Sequence, residues 1–571
     1  MKVTEALRII NAAPADAPAF RTMLACGFTP LHVETLLKAH LQSAMPARRV
    51  EIVPGLYGNL TGTVESLAGS DAHAAAVVIE WSDLDPRLGY RQTGGWSPSD
   101  LPDIALTIEH TLARIEAALR QAPSSMRIGV VLPTLGFPPV FYTPAVQSSE
   151  AEFRMRQALA QFARCLSTAP NIAVASSQQL DEASAPGSRF DLKSELFTGL
   201  PYTLPHADAV AGALAKLVHP PAPKKGIITD LDDTFWKGIV GEVGVDGVAW
   251  DLVSHSQIHG LYQQTLRALA EGGTLVGIAS KNDPEVVGKA FERSDILLPA
   301  SKIFPIEVHW HAKSGSVERI LRTWNIGADS VVFVDDSPME LAEVAAAHPG
   351  IECVLFPKND YAAAAPFLRR LRDLFGKPRV TEEDSIRLES IRQGAAFQQI
   401  VEEGGSAPEA FLEKMNARIT FDFAGALRDP RVLELVNKTN QFNLNGVRYT
   451  EADWMNGVDD FVASIAYEDK FGPLGKIAVI RGRQENGALA IGTWVMSCRA
   501  FARRIEHQCL RVLLDRYPEA AGIRFDFKAT AKNAPLRDFF KDMNVEDNTL
   551  TRAAFDEKCP ALYHTVNQIN E

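Results

Sequence analysis

The sequence predicts a multidomain α/β protein: two successive regions of alternating strands and helices, then a third region of mixed α+β character. Three observations predict it. Short apolar runs alternate with amphipathic helical patterns up to about residue 376, as expected of parallel sheets covered on both faces. From about residue 410 the rhythm changes to several strands in succession with a late helix. The chain has 571 residues, and at roughly 100–200 residues per domain this allows about three or four domains.

The first region, 1–220, carries strand-like runs such as "AAAVVIEW" (74–81) and "MRIGVVLP" (126–133), between helical patterns such as "LHVETLLKAHL" and "ALTIEHTLARIEAALRQ". It ends at "KLVHPPAPKKG", where Pro220, Pro221 and Pro223 make a stiff connector. The second region, 221–376, has the strands "GIITD", "TLVGIAS", "SVVFVDD" and "ECVLF", and helices such as "HGLYQQTLRALAEGG" with its glycine stop. A charged helical stretch within 377–409 is expected to link it to the third region, 410–571. That region offers "ARITFDF", "FVASIAYED", "KIAVIRGR" and "ALAIGTWVMS", then the helix "RRIEHQCLRVLLDRY".

Composition excludes several functional classes. A formal charge of −12 argues against a general nucleic-acid binder, which needs a basic face. No apolar run is long enough to span a membrane, and the N-terminal segment does not resemble a signal peptide. The six scattered cysteines form no metal-ligand or CxxC spacing and are expected to be reduced thiols of a cytoplasmic protein.

In "GIITDLDDTFWKGIVGE" (226–242) an apolar strand runs directly into Asp230, Asp232 and Asp233. Ligands of parallel sheets bind beyond the carboxyl ends of the strands. Asp335 and Asp336 end a second strand, Ser280 ends a third, and Lys313 follows in "HAKSGSVERIL". Carboxylates that converge need a counterion, and Mg²⁺ suits a site with few protein ligands plus phosphate and water. The cation would keep Asp230 ionised and able to attack phosphorus, while Ser280 and Lys313 hold phosphate oxygens. The alternative is acidic residues capping the helices that follow strands.

Asp230-Leu231-Asp232-Asp233-Thr234, Ser280, Lys313 and Asp335-Asp336 stand in an order that resembles the haloacid-dehalogenase (HAD) superfamily of phosphotransferases. The resemblance implies a HAD-like Rossmannoid domain. Asp230 would be the nucleophile through an aspartyl-phosphate, and Asp232 the general acid/base that also lends its backbone carbonyl to Mg²⁺. Asp335 would be a metal ligand, with Asp336 and Thr234 behind it and Lys281 and Asn282 of "SKND" on the substrate side. Only 40 positions separate Thr234 from Thr274 and 33 separate Ser280 from Lys313, enough for a short flap ("WKGIVGEVGVDGVAW") but not for a large cap domain. Such an open site suits a substrate delivered or covered by a large partner, unless a neighbouring domain is the lid.

In the third region, Cys498 of "TWVMSCRAFARRIEH" lies where a strand gives way to a helix. A thiol near a helix N-terminus, flanked by Arg499 and Arg503, is expected to be a better nucleophile, with His507 a possible base. The bland alternative is a buried core thiol. "KTNQFN" presents Asn440 and Asn443, which could grip a polar substrate or bond their own turn.

Together "DLDDTFWKGIVGE", "SKND", "FVDDSP", "KTNQFNLNGVRYTEAD", "DKFGPLGKIAV" and "WVMSCRAFARRIE" resemble the FkbH-like family over about 221–545. That family joins a HAD domain of subfamily IIIC to a GNAT-like acyltransferase domain. The resemblance implies that a phosphorylated three-carbon donor of the 1,3-bisphosphoglycerate type loses phosphate. Its glyceryl unit is then loaded onto an acyl carrier protein for polyketide-type biosynthesis, with Cys498 as acyl carrier and Arg499 contacting substrate. Ala502 and Arg504 stand where relatives carry glycine, so side chains would crowd the phosphates of free CoA, and Pro473 and Leu474 stand where relatives have polar residues.

The first region resembles the SGNH-hydrolase-like domain found ahead of FkbH-type sequences. A working hydrolase would need a serine after the first strand and an aspartate three residues before a histidine near the end. Here the first turn reads "ACGFTP" (25–30), and Thr203 precedes His206, so a non-catalytic or partner-binding domain is expected, with 81–96 as its binding loop. Two other functions stay open: a stand-alone Mg²⁺-dependent phosphatase with structural outer domains, and a non-enzymatic biosynthetic scaffold.

Overall fold

The computed structural model describes residues 1–571 except 145, 382–383, 394, 396–408, 440, 458, 471, 498–499, 502, 531–532 and 571. The chain divides into two compact units, Met1–Pro221 and Ala222–Glu571, the second holding both the central and the C-terminal sheets.

In the first unit, β1 (Ala19–Ala25), β2 (Arg49–Pro54), β3 (Ala74–Val78), β4 (Arg127–Val131) and β5 (Ile172–Ala175) form a parallel sheet in the order β2-β1-β3-β4-β5. Every residue of β3, Ala-Ala-Ala-Val-Val, is buried, as expected of a central strand covered on both faces. The helices Leu101–Gln121 and Glu150–Leu166 pack on one face, Leu31–Ala44 and Leu204–Val218 on the other.

The central sheet comprises β6 (Gly226–Thr229), β7 (Leu275–Ser280), β8 (Ile306–Val308), β9 (Val331–Asp335) and β10 (Glu352–Leu355), all parallel, in the order β10-β9-β6-β7-β8. The connection order reverses between β6 and β9, and in such sheets the crevice at the carboxyl end of that reversal is where ligands sit. Glycine makes room for one large side chain here. A Cβ on Gly226 would lie 2.5 Å from the Trp324 ring and one on Gly277 2.9 Å from it, so the indole packs directly against both strands. After β6 the chain makes a short flap, closed by a bridge between Lys237 and Ala249 and pinned by Arg293, which donates to the carbonyls of Val245 and Val248. Among the described residues no further domain is inserted between β6 and β9.

The segment expected to link the second and third regions is helical over 384–393 and packs on the central sheet. Arg387 donates to the carbonyl of Gly273 at 2.6 Å, Arg392 to that of Ile303 at 3.0 Å, and Ile391 joins the core beside Trp324. The rest of that linker, 396–408, lies outside the described residues.

The C-terminal sheet contains β11 (Arg418–Asp422), β12 (Phe442–Asn443), β13 (Phe461–Asp469), β14 (Gly472–Glu485), β15 (Ala488–Met496), β16 (Gly522–Phe525), β17 (Thr549–Thr551) and β18 (Thr565–Ile569). Its order is β17-β16-β15-β14-β13-β11-β18, with β12 also on β15, and it mixes antiparallel with parallel pairs. The helix Ile505–Arg516 fills its core with Cys509, Leu510, Leu513 and Leu514. Among the described residues no helix is long and apolar enough to cross a membrane.

Candidate active site

Asp230 follows the last residue of β6 and Asp335 is the last residue of β9, so the pairing of these strands sets the two carboxylates side by side at the sheet's reversal point. Both are buried. Lys313, the first residue of the helix Lys313–Trp324, is buried between them: its Nζ lies 3.0 Å from Asp230 Oδ1 and donates to Asp335 Oδ2 at 2.6 Å. The other Asp335 oxygen accepts from the backbone N–H of Ser337 at 2.8 Å.

Carboxylate oxygens of Asp230, Asp335 and Asp336 all lie within 4.8 Å of one another. Asp336 also accepts from Lys358 at 2.6 Å and from the Thr234 hydroxyl at 3.4 Å, and Lys358 lies 3.3 Å from Asp233. Four carboxylates thus face two ammonium groups, and the excess of two negative charges matches one divalent cation. This all-oxygen donor set fits Mg²⁺. Burial, with the Asp335 charge beside it, pushes Asp230 up to about 7 against the pull of Lys313, and burial likewise raises Asp335. A bound cation would favour the ionised forms of both.

Asp232 is built differently. Its Oδ1 accepts from the Trp236 indole N–H at 2.8 Å and the Val240 backbone N–H at 3.1 Å, and its Oδ2 accepts from the Asn282 amide at 2.8 Å. Its carboxylate therefore stands apart from the group of three, and only its backbone carbonyl is left as a candidate metal contact. Asp233 adopts a left-handed conformation (φ 53°) and accepts from the Gly238 N–H, which fixes the turn into the flap. Ser280 closes β7 with its side chain buried. Lys281 pairs with Glu340 at 2.8 Å.

The structure brings Asp230, Asp335, Asp336, Thr234 and Lys313 together at one crest, with Asp232 and Asn282 forming a second pair beside them. Sequence reasoning missed Lys358. It lies three residues past the end of β10, so the strand-end rule that found the aspartates would have found it too.

The C-terminal candidates fare differently. Cys498, Arg499 and Asn440 lie outside the described residues. Asn443, expected on the substrate, instead holds its own turn: its amide donates to Thr439 O at 3.0 Å and its Oδ1 accepts from the Asn445 and Gly446 N–H groups. Arg503 is buried 3.5 Å from Asp469, so its charge is compensated there. His507 packs edge-on to Phe539, and burial, with Arg504 nearby, lowers it to about 4.

In the first unit the corresponding reversal lies between β1 and β3, and it is filled. A Cβ on Gly27 would meet Asp83 Oδ1 at 1.9 Å, so the Asp83 carboxylate occupies the space above that turn. Cys26 is buried beside it, and burial pushes its thiol up to about 12. Buried Glu80 accepts from the hydroxyls of Tyr202 and Thr134 at 2.6 Å each, and from the Thr134 and Leu135 N–H groups. His206 is buried between Thr134 at 2.8 Å and Ser184 at 3.0 Å, and burial lowers it to about 3. Thr203 donates to Ser188 O. The segment 81–96 is tied down by its own contacts, with Arg87 on Asp85 and the Trp96 indole on Arg87 O.

No family model matches this sequence, and no curated protein matches it. Among solved structures, the N-terminal part of the protein BF1531 from Bacteroides fragilis, containing a phosphatase domain complexed with Mg, is 18% identical. It covers 66% of this chain and 100% of its own, with a TM-score of 0.54. That likeness shows a shared multidomain α/β fold. An extracellular lipase from Streptomyces rimosus, 12% identical, covers 35% of this chain and 100% of its own at a TM-score of 0.25, too low to carry an argument.

Proposed function

We propose that the protein is a HAD-type, Mg²⁺-dependent phosphatase of FkbH-like type. It would act on a phosphorylated three-carbon acyl donor and pass the acyl unit to the thiol of an acyl carrier protein. The observation that carries the phosphatase part is the buried triangle of Asp230, Lys313 and Asp335 at the reversal point of the central sheet. The fold shared with a phosphatase-domain protein complexed with Mg supports it.

Asp230, Asp335 and Asp336 would hold the cation, which when bound neutralises charge on the phosphate and keeps Asp230 ionised. A carboxylate oxygen of Asp230 then attacks phosphorus. The Asp230–phosphorus bond forms as the bond to the leaving oxygen breaks, and Lys313 and Ser280 steady the phosphoryl oxygens. Asp232, oriented by Trp236, Val240 and Asn282, gives the leaving oxygen its proton and afterwards takes one from the water that clears the aspartyl-phosphate.

Chemistry constrains which phosphate is removed. Attack at the phosphorus of an acyl phosphate would release a free carboxylate, which a thiol cannot take up. The crest therefore acts on the phosphate ester at the far end of the donor. The acyl phosphate is left for a thiol, which attacks the carbonyl carbon and expels inorganic phosphate. A 1,3-bisphosphoglycerate-like donor carries both groups. Delivery by a partner is supported by the exposed apolar side chains of Leu252, Val253, Trp310 and Met339, in the segments that follow the flap, β8 and β9.

A second function, phosphate-ester hydrolysis alone, is favoured by the compensated charge of Arg503 and the self-satisfied Asn443. Intact-mass measurement of candidate carrier proteins after incubation with Mg²⁺ and the donor separates the two. A glyceryl adduct supports acyl loading. Phosphate release with no adduct on any carrier leaves the phosphatase alone.

A further inference from the structure

A cavity of about 610 Å³ in the second unit lies away from the crest. Its lining includes Lys225 just before β6, Leu275 at the start of β7, and Asn325–Gly327 ahead of β9, which is the amino-terminal edge of the central sheet. Asp230 lies at the other end of β6, about 16 Å away for five residues of extended strand. The far wall comes from the helix Pro430–Lys438 and the end of β15.

The cavity concentrates positive charge in an acidic chain. The strand edge supplies Lys224 and Lys225, the segment after the central domain supplies Lys377, Arg379 and Arg387, and the helix Pro430–Lys438 supplies Arg431 and Lys438. Among the described residues, two carboxylates line it. Asp384 lies between Lys377 at 2.9 Å and Arg387 at 2.6 Å, and Glu434 between Arg431 at 2.8 Å and Lys438. Even with Glu352, 3.9 Å from Lys224, counted in, four cations remain in excess among the described residues. Lys225 is the clearest of them: among the described residues it pairs with no carboxylate, and burial together with the charges of Lys438 and Arg387 pushes it down to about 8. Trp324, Ile326, Leu435 and Met496 add apolar wall.

The geometry points to a binding site for a small organic polyanion carrying two or more phosphate charges, held between the central domain and the C-terminal sheet. One monoanion would leave most of the excess uncompensated, whereas a phosphate group contributes about −1.5 to −2 and accepts from several donors at once. The guanidinium fork of Arg379 matches phosphate oxygens, and the apolar wall takes the organic remainder. This site is independent of the proposed phosphatase centre.

The test is calorimetric titration of the full chain with inorganic tripolyphosphate in EDTA, against orthophosphate, for wild type and Asp230→Asn. Wild type and Asp230→Asn should bind tripolyphosphate alike and orthophosphate much more weakly. Lys225→Met and Arg379→Gln leave the Asp384 and Glu434 ion pairs in place, and each should weaken binding by about tenfold. Lys225→Arg should restore it. Absence of binding at millimolar tripolyphosphate, equal affinity for orthophosphate, loss of binding in Asp230→Asn, or unchanged affinity in both cavity variants would each overturn the site.

Discussion

Lys313 Nζ lies 3.0 Å from Asp230 Oδ1, and the same ammonium donates to Asp335, so one buried cation serves two buried carboxylates. The arrangement is short of positive charge by design of the site, and its response to charge removal follows.

Lys313→Met removes the cation that, among the described residues, alone pairs with both Asp230 and Asp335. Leaving buried carboxylates without their partner costs on the order of 3–5 kcal/mol, reduced where they take up protons. The variant should melt well below wild type in EDTA, and Mg²⁺ should raise its melting temperature more than it raises that of wild type. Equal Mg²⁺ shifts in scanning fluorimetry would mean the cation binds elsewhere.

Asp230→Asn removes the attacking oxygen and should cut phosphate release by at least about a thousandfold. It also removes a repelling charge, so its fold should be at least as stable as wild type in EDTA. A well-folded variant that releases phosphate within about threefold of wild type would reject Asp230 as nucleophile.

Stability should depend on pH in a direction fixed by Asp230. Its folded value, about 7, lies above the ordinary 3.8, so the folded protein holds this proton more tightly than the unfolded chain. The contribution is fully present below about 4 and lost as pH rises through about 7. Mg²⁺ requires the ionised form, so its stabilising shift should grow from about pH 5.5 to about pH 8. A shift that is constant across this window would place the titration on other groups.

Asp232→Asn keeps an oxygen for Trp236 and Val240 but loses the proton carrier. General acid help is worth roughly 10²–10⁴, and it matters most for a poor leaving group. Release from an alkyl phosphate ester should therefore fall far more than release from p-nitrophenyl phosphate. Equal losses on both substrates would make Asp232 a positioning residue only.

Cys498→Ala should abolish carrier loading while leaving ester dephosphorylation intact, because a thioester on this thiol would be the waiting form of the acyl unit. Normal loading by the variant, with no acylated wild-type enzyme by mass spectrometry, would remove Cys498 from the pathway.

The crest was legible in the sequence because strand ends bring distant residues together by rule. Asp230, Ser280 and Asp335 each follow an apolar run, and a parallel sheet aligns such ends. Asn443 and Arg503 were not legible. Their residue types suit a binding site, but Thr439 O, the Gly446 N–H and Asp469 engage them first, and local sequence does not reveal such pairings. The basic cavity was hidden for the same reason: its cations come from segments near 225, 380 and 435, brought together only by tertiary packing.

The position of Lys225 at one end of β6 and Asp230 at the other has an energetic consequence. Residues more than about 7–10 Å apart without shared partners perturb a protein independently, within about 0.3–0.5 kcal/mol. The two ends of the central sheet can therefore be altered by substitution as separate variables. A Lys225→Met, Asp232→Asn double variant should show the product of the two single rate effects on ester dephosphorylation, and any departure from that product would measure how much the sheet transmits from one end to the other.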